Sequence, residues 1–393
     1  MIRRFISRDS VALVGSIIGL SSVLPGWLTL KPSRIVAGTS LRLWQSSDWE
    51  GSTVILGLWL LCFVLSLLRG SKLSALMLGT AANLIIIVTF LLAGLVASNL
   101  LEGAAPSARV SLGAGIWMTL GGAYVVIFAA RQRLPDSPLW RNLVSWAGLA
   151  ALGVLLTIGW LGNLSILQEF SGREERFVQE LLQHLFLFGS SVAAGTVLGI
   201  LLGIRAARST GAAGPIFFIS NITQTIPSLA LFGLLIAPLS ALSFAFPVLR
   251  EFGIRGVGVA PAIMALIVYS LLPVVRNTYV GFHQLDPGVI DAGRGMGMSR
   301  GNIFRKLEVP LAAPLILEGV RTAAVQSVGL TAVTALIGAG GLGWFIFQGL
   351  GQAAADLILL GAIPIIVLAL LVDAVMRAII TLATPKGLGV GKQ

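Results

Sequence analysis

The sequence predicts an all-α polytopic membrane protein with about ten transmembrane helices. Of its 393 residues, 56% are hydrophobic and only 11% are charged, and the mean hydropathy is +0.93. A soluble globular chain carries about 25% charged residues, so too few charges remain here to cover a water-facing surface. The apolar residues also form long runs separated by short basic stretches, which is typical of a chain that crosses a membrane repeatedly.

Ten apolar runs are long enough to serve as membrane-spanning helices. A helix that crosses a hydrocarbon core of about 30 Å needs roughly 20 predominantly apolar residues. The predicted spans lie near 11–30, 53–68, 73–98, 111–130, 146–167, 183–204, 215–242, 257–278, 311–337 and 357–380. The second run is short, and Pro227 and Pro238 interrupt the seventh.

Basic residues predict how these spans are oriented. They follow every second span, at Arg69 and Lys72, at Arg131, Arg133 and Arg141, at Arg205 and Arg208, at Arg276, Arg294, Arg300, Arg305 and Lys306, and at Arg377, Lys386 and Lys392. Cytoplasmic loops collect Lys and Arg, so both termini are expected in the cytoplasm, with Arg3, Arg4 and Arg8 before a retained first span. The first outer loop departs from this pattern because it is also basic.

Several function classes are excluded by composition and motif. The net charge of +11 is explained by loop orientation, so no nucleic-acid partner is expected. Cys62 is the single cysteine, and His184 and His283 lie far apart, which argues against a disulfide or a metal centre. No Walker motif and no set of nucleophile, base and acid is found, so the chain is not expected to be an enzyme. Residues 338–343 match G-x-G-x-x-G but follow a predicted span, which favours a tight turn or a helix break.

A change in composition divides the sequence into two predicted regions. Residues 168–176 form the most charged outer segment, and an amphipathic stretch then leads into the sixth span. We therefore predict an N-terminal membrane region of about five helices at 1–167 and a second region at 168–393. In the second region, glycines recur at every fourth position of the sixth span. This spacing lets helices pack closely, either within the subunit or between subunits.

The cytoplasmic loop at 283–310 carries the clearest functional signal. Asp286 followed by Pro287 predicts a helix start, with Asp as the N-cap and Pro in the first turn. Ser299 can cap a second short helix, which Pro310 is expected to end. Several glycines leave the first helix with little side-chain bulk, so a partner protein can approach its backbone closely. The alternative is a loop that rests on anionic lipid headgroups.

Seven positions of this loop follow a known pattern. They are Asp291, Ala292, Gly293, Gly297, Leu307, Val309 and Pro310. Their order and spacing resemble the E-A-A-x3-G-x9-I-x-L-P loop of ATP-binding-cassette importer permeases. Asp291 stands in the place of the glutamate and Gly293 in that of the second alanine, and these changes keep the charge and the small size.

Four further stretches resemble osmoprotectant permeases, the branch of this family that takes up glycine betaine, choline and carnitine. They are residues 224–230, 273–279, 295–298 and 338–343. The resemblance covers residues 180–380, whereas the long additional N-terminal half is similar only in kind to that of one betaine-importer subgroup.

The resemblance implies a multi-pass permease subunit of an importer in a bacterial inner membrane. Its implied partners are a cytoplasmic ATPase dimer, a second permease subunit of the same or a related chain, an external substrate-binding protein and the lipid bilayer. ATP would be bound by the partner ATPase, with no cofactor in this chain. The 291–310 loop would transmit ATPase closure to the spans, and the substrate would be a small quaternary ammonium osmolyte.

Polar residues of the predicted spans are candidates for the substrate pathway. They are Gln224, Thr225, Ser228, Tyr269, Gln326, Thr331 and Thr334. An interhelical hydrogen bond is the alternative role for each of them. Glu318 and Arg321 of the ninth span are expected to form an ion pair, as are Asp373 and Arg377 near the end of the last span.

Two other function classes compete with the importer. Two halves of about five spans suggest a secondary transporter with inverted five-helix repeats, whose sign would be matching broken helices in both halves. Pro227 and Pro238 interrupt a span of the second half, whereas Pro25 lies in the first span of the first half. A non-transporting scaffold is the third class, and it would not need Pro227, Pro273 and Pro310 beside its spans.

Overall fold

The structure is a computed structural model that describes residues 9–34, 36–46, 49–68, 71–134, 138–251 and 253–385. Six basic residues used to predict the orientation lie outside the described residues: Arg3, Arg4, Arg8, Arg69, Lys386 and Lys392. The backbone groups into two compact units, Met1–Gly172 and Arg173–Gln393.

The first unit combines helices with one small sheet. Its elements are α1 (Ser10–Ser21), β1 (Leu28–Lys31), β2 (Thr39–Leu41), α2 (Leu43–Ser46), α3 (Trp49–Leu67), α4 (Lys72–Leu101), β3 (Arg109–Leu112), α5 (Ala114–Gln132), α6 (Pro138–Thr157) and α7 (Ser165–Ser171). The three strands pair antiparallel in the order β2-β1-β3, and Leu28 of the central strand lies opposite both Leu41 and Leu112.

Among its described residues, the second unit contains helices and turns but no strand. Its elements are α8 (Glu174–Arg208), α9 (Thr210–Thr225), α10 (Ser228–Ala245), α11 (Val248–Glu251), α12 (Val259–His283), α13 (Pro287–Gly295), α14 (Arg300–Ile303), a π-helical turn (Phe304–Glu308), α15 (Val309–Val333), a 3₁₀ turn (Thr334–Ile337), α16 (Gly343–Gly351) and α17 (Ala355–Ala383).

The predicted helical membrane fold is confirmed. Within the described ranges, nine helices are long and apolar enough to cross a membrane, and α1 is a shorter apolar helix. Four of the nine, α3 to α6, belong to the first unit. The other five are α8, α10, α12, the stretch Arg300–Ile337 that runs from α14 through α15, and α17.

The predicted first span, 11–30, is wrong in its second half. α1 ends at Ser21, so it is about 18 Å long, which is shorter than a hydrocarbon core of about 30 Å. Pro25 and Gly26 stop the helix, and the next amide, that of Trp27, donates to the Leu41 carbonyl of β2 at 2.7 Å. Strands of three or four residues give almost no periodicity, so the sequence does not predict this sheet.

The predicted fifth span, 146–167, is displaced toward the N-terminus. α6 begins at Pro138, which suits the first helical position because its missing N–H is not needed there. α6 ends at Thr157, and Gly159 follows in a left-handed conformation with a φ of +76°. A glycine in this conformation is a common helix stop, and it places the end of α6 well before residue 167.

Buried residues of α1 to α6 and of strands β1 and β3 form the core of the first unit. Trp59 of α3 is fully buried against Gly19 of α1, where a Cβ atom would overlap the indole ring. Asn83 of α4 holds α6: its Nδ2 donates to the Val144 carbonyl at 2.9 Å, and its Oδ1 accepts the Gly148 amide at 2.5 Å. The nitrogen and the oxygen of this buried side-chain amide therefore both form hydrogen bonds between α4 and α6.

The predicted seventh span, 215–242, is two helices. α9 ends at Thr225 and α10 begins at Ser228, because Pro227 pushes the residue before it, Ile226, into an extended conformation. The prediction that Pro238 also interrupts this span is wrong, since Pro238 lies inside α10. A proline inside a membrane helix is tolerated where neighbouring groups satisfy the freed carbonyl.

Glycines of α8 let α12 pack closely against it. A Cβ atom at Gly199 would lie 2.7 Å from the Cβ of Val274, and one at Gly203 would lie 2.8 Å from the Cγ2 of Thr278. Gly195 faces α12 in the same way. The every-fourth-residue glycines therefore serve packing within the subunit.

Candidate functional site

The 283–310 loop starts with a capped helix, as the sequence predicts. Asp286 is the N-cap of α13, and its Oδ1 accepts the Gly288 amide at 2.8 Å. Pro287 occupies the first turn, where no intrahelical N–H bond is lost. These two residues start α13 directly after α12 ends at His283.

Gly297 ends α13 in a left-handed conformation. Its φ is +77°, a value that residues with side chains rarely adopt. The Gly297 amide donates to the Arg294 carbonyl at 2.9 Å, and the Met298 amide donates to the Gly293 carbonyl at 3.1 Å. This pair of bonds is a Schellman motif, which turns the chain back across the end of the helix. The backbone geometry therefore requires the glycine of the loop pattern at this position.

Gly293 lies where α13 meets the second helix of the loop. It is buried, and a Cβ atom there would lie 2.8 Å from Cδ1 of Leu307. Gly293 is one of the two positions at which the loop differs from the family pattern. Its missing side chain lets Leu307 pack directly against the backbone of α13.

The second helix of the loop differs from the prediction at its end. Ser299 caps α14 as expected, with its Oγ accepting the Asn302 amide at 3.4 Å. The helix does not end at Pro310, because it continues through the π-helical turn into α15, which carries Pro310 in its first turn. The wider turn accommodates the proline, which lacks an N–H and would clash with a regular α-helical turn. The second helix of the loop is thus continuous with the ninth span.

Arg208, the last residue of α8, connects the second helix of the loop to the rest of the unit. Its guanidinium forms an ion pair with Glu308 and lies over the ring of Phe304, with 5.0 Å between Cζ and the ring centroid. Phe304 also stacks on Phe282 of α12 at a centroid distance of 5.9 Å. The sequence indicated only an orientation role for Arg208. Its partner lies 100 residues away, so no local pattern reveals the pair.

The outward surface of α13 carries small side chains and a neutral ion pair, with Met296 exposed at its end. Ala292 and Gly295 are exposed, and the Met296 side chain is 73% exposed. Asp291 accepts a hydrogen bond from Arg294 Nη1 at 2.9 Å, and both side chains of this ion pair face solvent. Another protein can cover such a surface without burying an unpaired charge.

The seven residues of the loop pattern divide into two groups. Three are exposed on or just after α13: Asp291, Ala292 and Gly297. Four are buried or half-buried where α13 meets the start of α15: Gly293, Leu307, Val309 and Pro310. The first group forms the surface of the loop, and the second holds its two helices together.

Two of the pathway candidates join the broken seventh span to α12. Pro273 has no N–H, so it leaves the Tyr269 carbonyl without its usual helical partner. Gln224 Nε2 donates to that carbonyl at 2.8 Å, and the Tyr269 hydroxyl donates to the carbonyl of Ile226 at the break between α9 and α10. Gln224 and Tyr269 thus make interhelical hydrogen bonds in this conformation.

Four other pathway candidates lie in or next to α9, α10 and α15, and the hydroxyls of three of them donate to backbone carbonyls nearby in the sequence. Thr225 is exposed, and its hydroxyl donates to a carbonyl of its own helix at 2.7 Å. Ser228 is half-buried at the first position of α10. Thr331 and Thr334 are fully buried, and each hydroxyl donates to a nearby backbone carbonyl at 2.7 Å. Thr331 and Thr334 therefore do not line an open path in this conformation.

Gln326, the last candidate, lies beside a charged cavity. Both predicted ion pairs are present next to it, Glu318–Arg321 at 2.8 Å and Asp373–Arg377 at 2.8 Å. The sequence did not predict that Arg321 Nε also donates to Asp373 Oδ1 at 2.6 Å. This bond connects α15 to α17 and joins the two pairs into one network.

The 338–343 segment is a helix break, as expected, and not a dinucleotide-binding turn. Three of its glycines have φ values between +75° and +93°. Glu180 of α8 is buried and accepts the Gly341 amide at 2.5 Å, while Gln183 Nε2 donates to the Ala339 carbonyl at 2.9 Å. The roles of Glu180 and Gln183 in holding this segment cannot be predicted from the sequence, because an amphipathic pattern does not show which polar residues reach another segment.

Two family models match the two halves of the chain. The model described as binding-protein-dependent transport system inner membrane component matches residues 195–384. The model described as the N-terminal domain of the ABC transporter permease YehY matches residues 7–167. The second half thus matches a family of binding-protein-dependent transport components, which favours the importer over the secondary-transporter alternative.

Curated relatives match about half of the chain. Osmoprotectant import permease protein OsmW of Salmonella typhimurium is 38% identical over 206 residues, which are 52% of this chain and 91% of the relative. Glycine betaine/carnitine/choline transport system permease protein OpuCB of Bacillus subtilis is 37% identical over 206 residues, 52% of this chain and 88% of the relative. Carnitine transport permease protein OpuCB of Listeria monocytogenes is 37% identical over 224 residues, 57% of this chain and 95% of the relative.

Among solved structures, the MetNI methionine ABC transporter in inward-facing conformations is 22% identical, with a TM-score of 0.45 over 53% of this chain and 96% of that chain. An amino acid ABC transporter with histidines is 18% identical, with a TM-score of 0.43 over 55% of this chain and 97% of that chain.

Proposed function

The chain belongs to the family of binding-protein-dependent transport system inner membrane components, and from this premise we propose that it imports small quaternary ammonium osmolytes such as glycine betaine. As a member of this family it is a transport subunit and not an enzyme, and ATP is hydrolysed by a separate subunit. The substrate class rests on the relatives, whose names specify osmoprotectants, glycine betaine, carnitine and choline.

The proposed partners follow from the same family. ATP binds to a dimer of ATPase subunits in the cytoplasm, and this chain holds no cofactor of its own. A second permease subunit, the same or a related chain, completes the pathway, and an external binding protein delivers the substrate. Both termini and the 283–310 loop lie on the cytoplasmic side, in keeping with the basic residues of every second loop.

The 283–310 loop is the observation that carries the proposal. The outward surface of α13 offers a docking site for the ATPase, with small residues and a neutralised ion pair. The packing of Gly293 against Leu307 and the continuous helix into α15 connect this surface directly to a membrane span. A displacement of α13 by ATPase closure is therefore passed to α15, which is a conformational gating step.

Uptake into proteoliposomes tests this function. The chain is reconstituted with its ATPase, and the binding protein and labelled glycine betaine are supplied on the outer side. We expect uptake that requires ATP in the compartment of the ATPase and that choline or carnitine suppresses by competition. Uptake driven by a sodium or proton gradient without any ATPase would contradict the proposal.

A further inference from the structure

A charged cavity of about 520 Å³ lies between α15 and α17, beside the end of α12. Its lining includes Asn277, Glu318, Arg321, Val325, Gln326 and Asp373. Arg321 is at its centre. One nitrogen, Nη1, donates to both carboxylate oxygens of Glu318 at 2.8 and 2.9 Å, and Nε donates to Asp373 at 2.6 Å.

These charges lie inside two helices that are long and apolar enough to cross a membrane. At 1.5 Å per residue, Arg321 is about 18 Å from the start of α15, and Asp373 is about 15 Å from the end of α17. The Glu318 side chain is nevertheless 43% exposed and that of Asp373 is 24% exposed. Charges within a span face water or another protein surface and not lipid, and side chains as exposed as these leave room for water.

Several polar groups that line the cavity can still form hydrogen bonds with a ligand. Three polar side-chain groups have no hydrogen-bond partner among residues that the structure describes. They are Arg321 Nη2, the side-chain amide of Gln326 and Asn277 Oδ1. The charged groups of the lining are two carboxylates and one guanidinium. Arg377 pairs with Asp373 at 2.8 Å, so the whole network is neutral, and Glu318, 43% exposed, is its most accessible carboxylate. A ligand can place a positive group against Glu318, and a carboxylate on the same ligand can accept from Arg321 Nη2.

We infer that this cavity is the intramembrane transit site for the quaternary ammonium substrate, an inference that rests on the proposed function. A quaternary ammonium group has no N–H to donate, so it is held by charge, and the exposed carboxylate of Glu318 supplies that charge. A volume of about 520 Å³ is within the range of small-molecule sites. The lining residues include no aromatic ring, so the cation–π contribution of a tight cage is missing and binding is weak, as passage requires.

The competing explanation is that the network is only a strut between α15 and α17. A strut needs the Arg321–Asp373 bond but not the unpaired side-chain amide of Gln326, an exposed Glu318 carboxylate or access for water. Thiol labelling in the cavity therefore separates the two explanations. The sequence suits this method, because Cys62 is the single cysteine and a Cys62→Ala background removes it.

The experiment uses the full chain with its ATPase in proteoliposomes. Gln326→Cys is labelled with a cationic reagent, trimethylammonium-ethyl methanethiosulfonate, and with its anionic sulfonate analogue, with and without ATP. We expect labelling in at least one nucleotide state, with a preference for the cation about tenfold above that of a free thiol. Adding Asp373→Asn should reduce this preference. Leu370→Cys, on an apolar and 65% exposed part of α17, is the lipid-facing control and should react with neither reagent.

Each outcome decides between named possibilities. No labelling of Gln326→Cys in either nucleotide state, together with none of the neighbouring Val325→Cys, means a dry strut and overturns the inference. Labelling without a preference for the cation overturns it as well. A preference for the cation together with slower labelling in excess glycine betaine supports it. A preference for the cation that neither glycine betaine, choline nor carnitine alters, in vesicles that take up none of them, leaves a hydrated cationic path and contradicts the proposed substrate class.

Discussion

Gln224 donates its side-chain amide to the carbonyl of Tyr269, the backbone group that Pro273 leaves without a partner. The Tyr269 hydroxyl donates in return to the carbonyl of Ile226, where the seventh span is broken. Prolines thus leave a backbone carbonyl available in each of two helices, and the side chains of Gln224 and Tyr269 donate hydrogen bonds to these two carbonyls. The broken span is thereby held at a fixed position on α12.

The first prediction concerns this pair. Gln224→Leu leaves a buried carbonyl unsatisfied, so we expect it to lower the free energy of unfolding by roughly 1–3 kcal/mol in a denaturant titration in detergent. In a Pro273→Ala background the restored backbone N–H can serve the Tyr269 carbonyl, and the same substitution should cost much less. Equal losses in both backgrounds would show that Gln224 does not act through this carbonyl.

The second prediction concerns the end of α13. Gly297→Ala places a side chain at a φ of +77°, at a cost of about 1–2 kcal/mol, so the Schellman motif should loosen. We expect less ATPase to co-purify with this variant at equal expression. Gly301→Ala is the matched control, because Gly301 lies in α14 with open space around it and should retain the ATPase. Identical loss in both variants would argue against a specific role of the motif.

The third prediction concerns Arg208 and Glu308. The pair is partly exposed, so breaking it costs about 0–1 kcal/mol, and the Arg208→Glu variant should still fold. It should, however, release the second helix of the loop and lower the amount of substrate imported per ATP hydrolysed. The charge swap, Arg208→Glu with Glu308→Arg, should restore that ratio. If the swap leaves the ratio as low as the single variant does, the ion pair is not part of the coupling.

The fourth prediction concerns the α8–α12 packing. Gly199→Ala brings a Cβ atom to 2.7 Å from Val274, and overpacking of this kind costs about 1–3 kcal/mol. Gly189→Ala on the same helix meets open space and should be neutral or stabilise by up to about 1 kcal/mol. Thermal unfolding in detergent compares the two. A Gly199→Ala variant as stable as Gly189→Ala would contradict the close approach of the helices.

Local patterns predicted much of this molecule. Hydrophobic runs located the membrane helices, because a span needs a long apolar segment whatever it packs against. The start of α13 at Asp286 and the capping role of Ser299 were predicted correctly, since a cap depends on neighbouring residues alone. The ion pairs Glu318–Arg321 and Asp373–Arg377 followed from helical spacing for the same reason.

Contacts between distant segments could not be predicted. Nothing near Arg321 in the sequence points to Asp373, and nothing near Arg208 points to Glu308. The small sheet of the first unit was missed because its strands are too short to show a period. Pro310 was expected to end a helix because sequence rules describe α-helical turns, and the structure uses a π-helical turn there.

The central claim is that the surface of α13 docks the ATPase, and cross-linking from Met296 tests it most directly. Met296→Cys in the Cys62→Ala background is coupled to a thiol-linked benzophenone and irradiated in the assembled complex. Val257→Cys is the control, since it is also exposed but lies at the opposite end of α12 from the loop. We predict a covalent product of permease and ATPase from position 296 and none from 257. The absence of that product from position 296, or equal yields from both positions, would contradict the docking role of the loop.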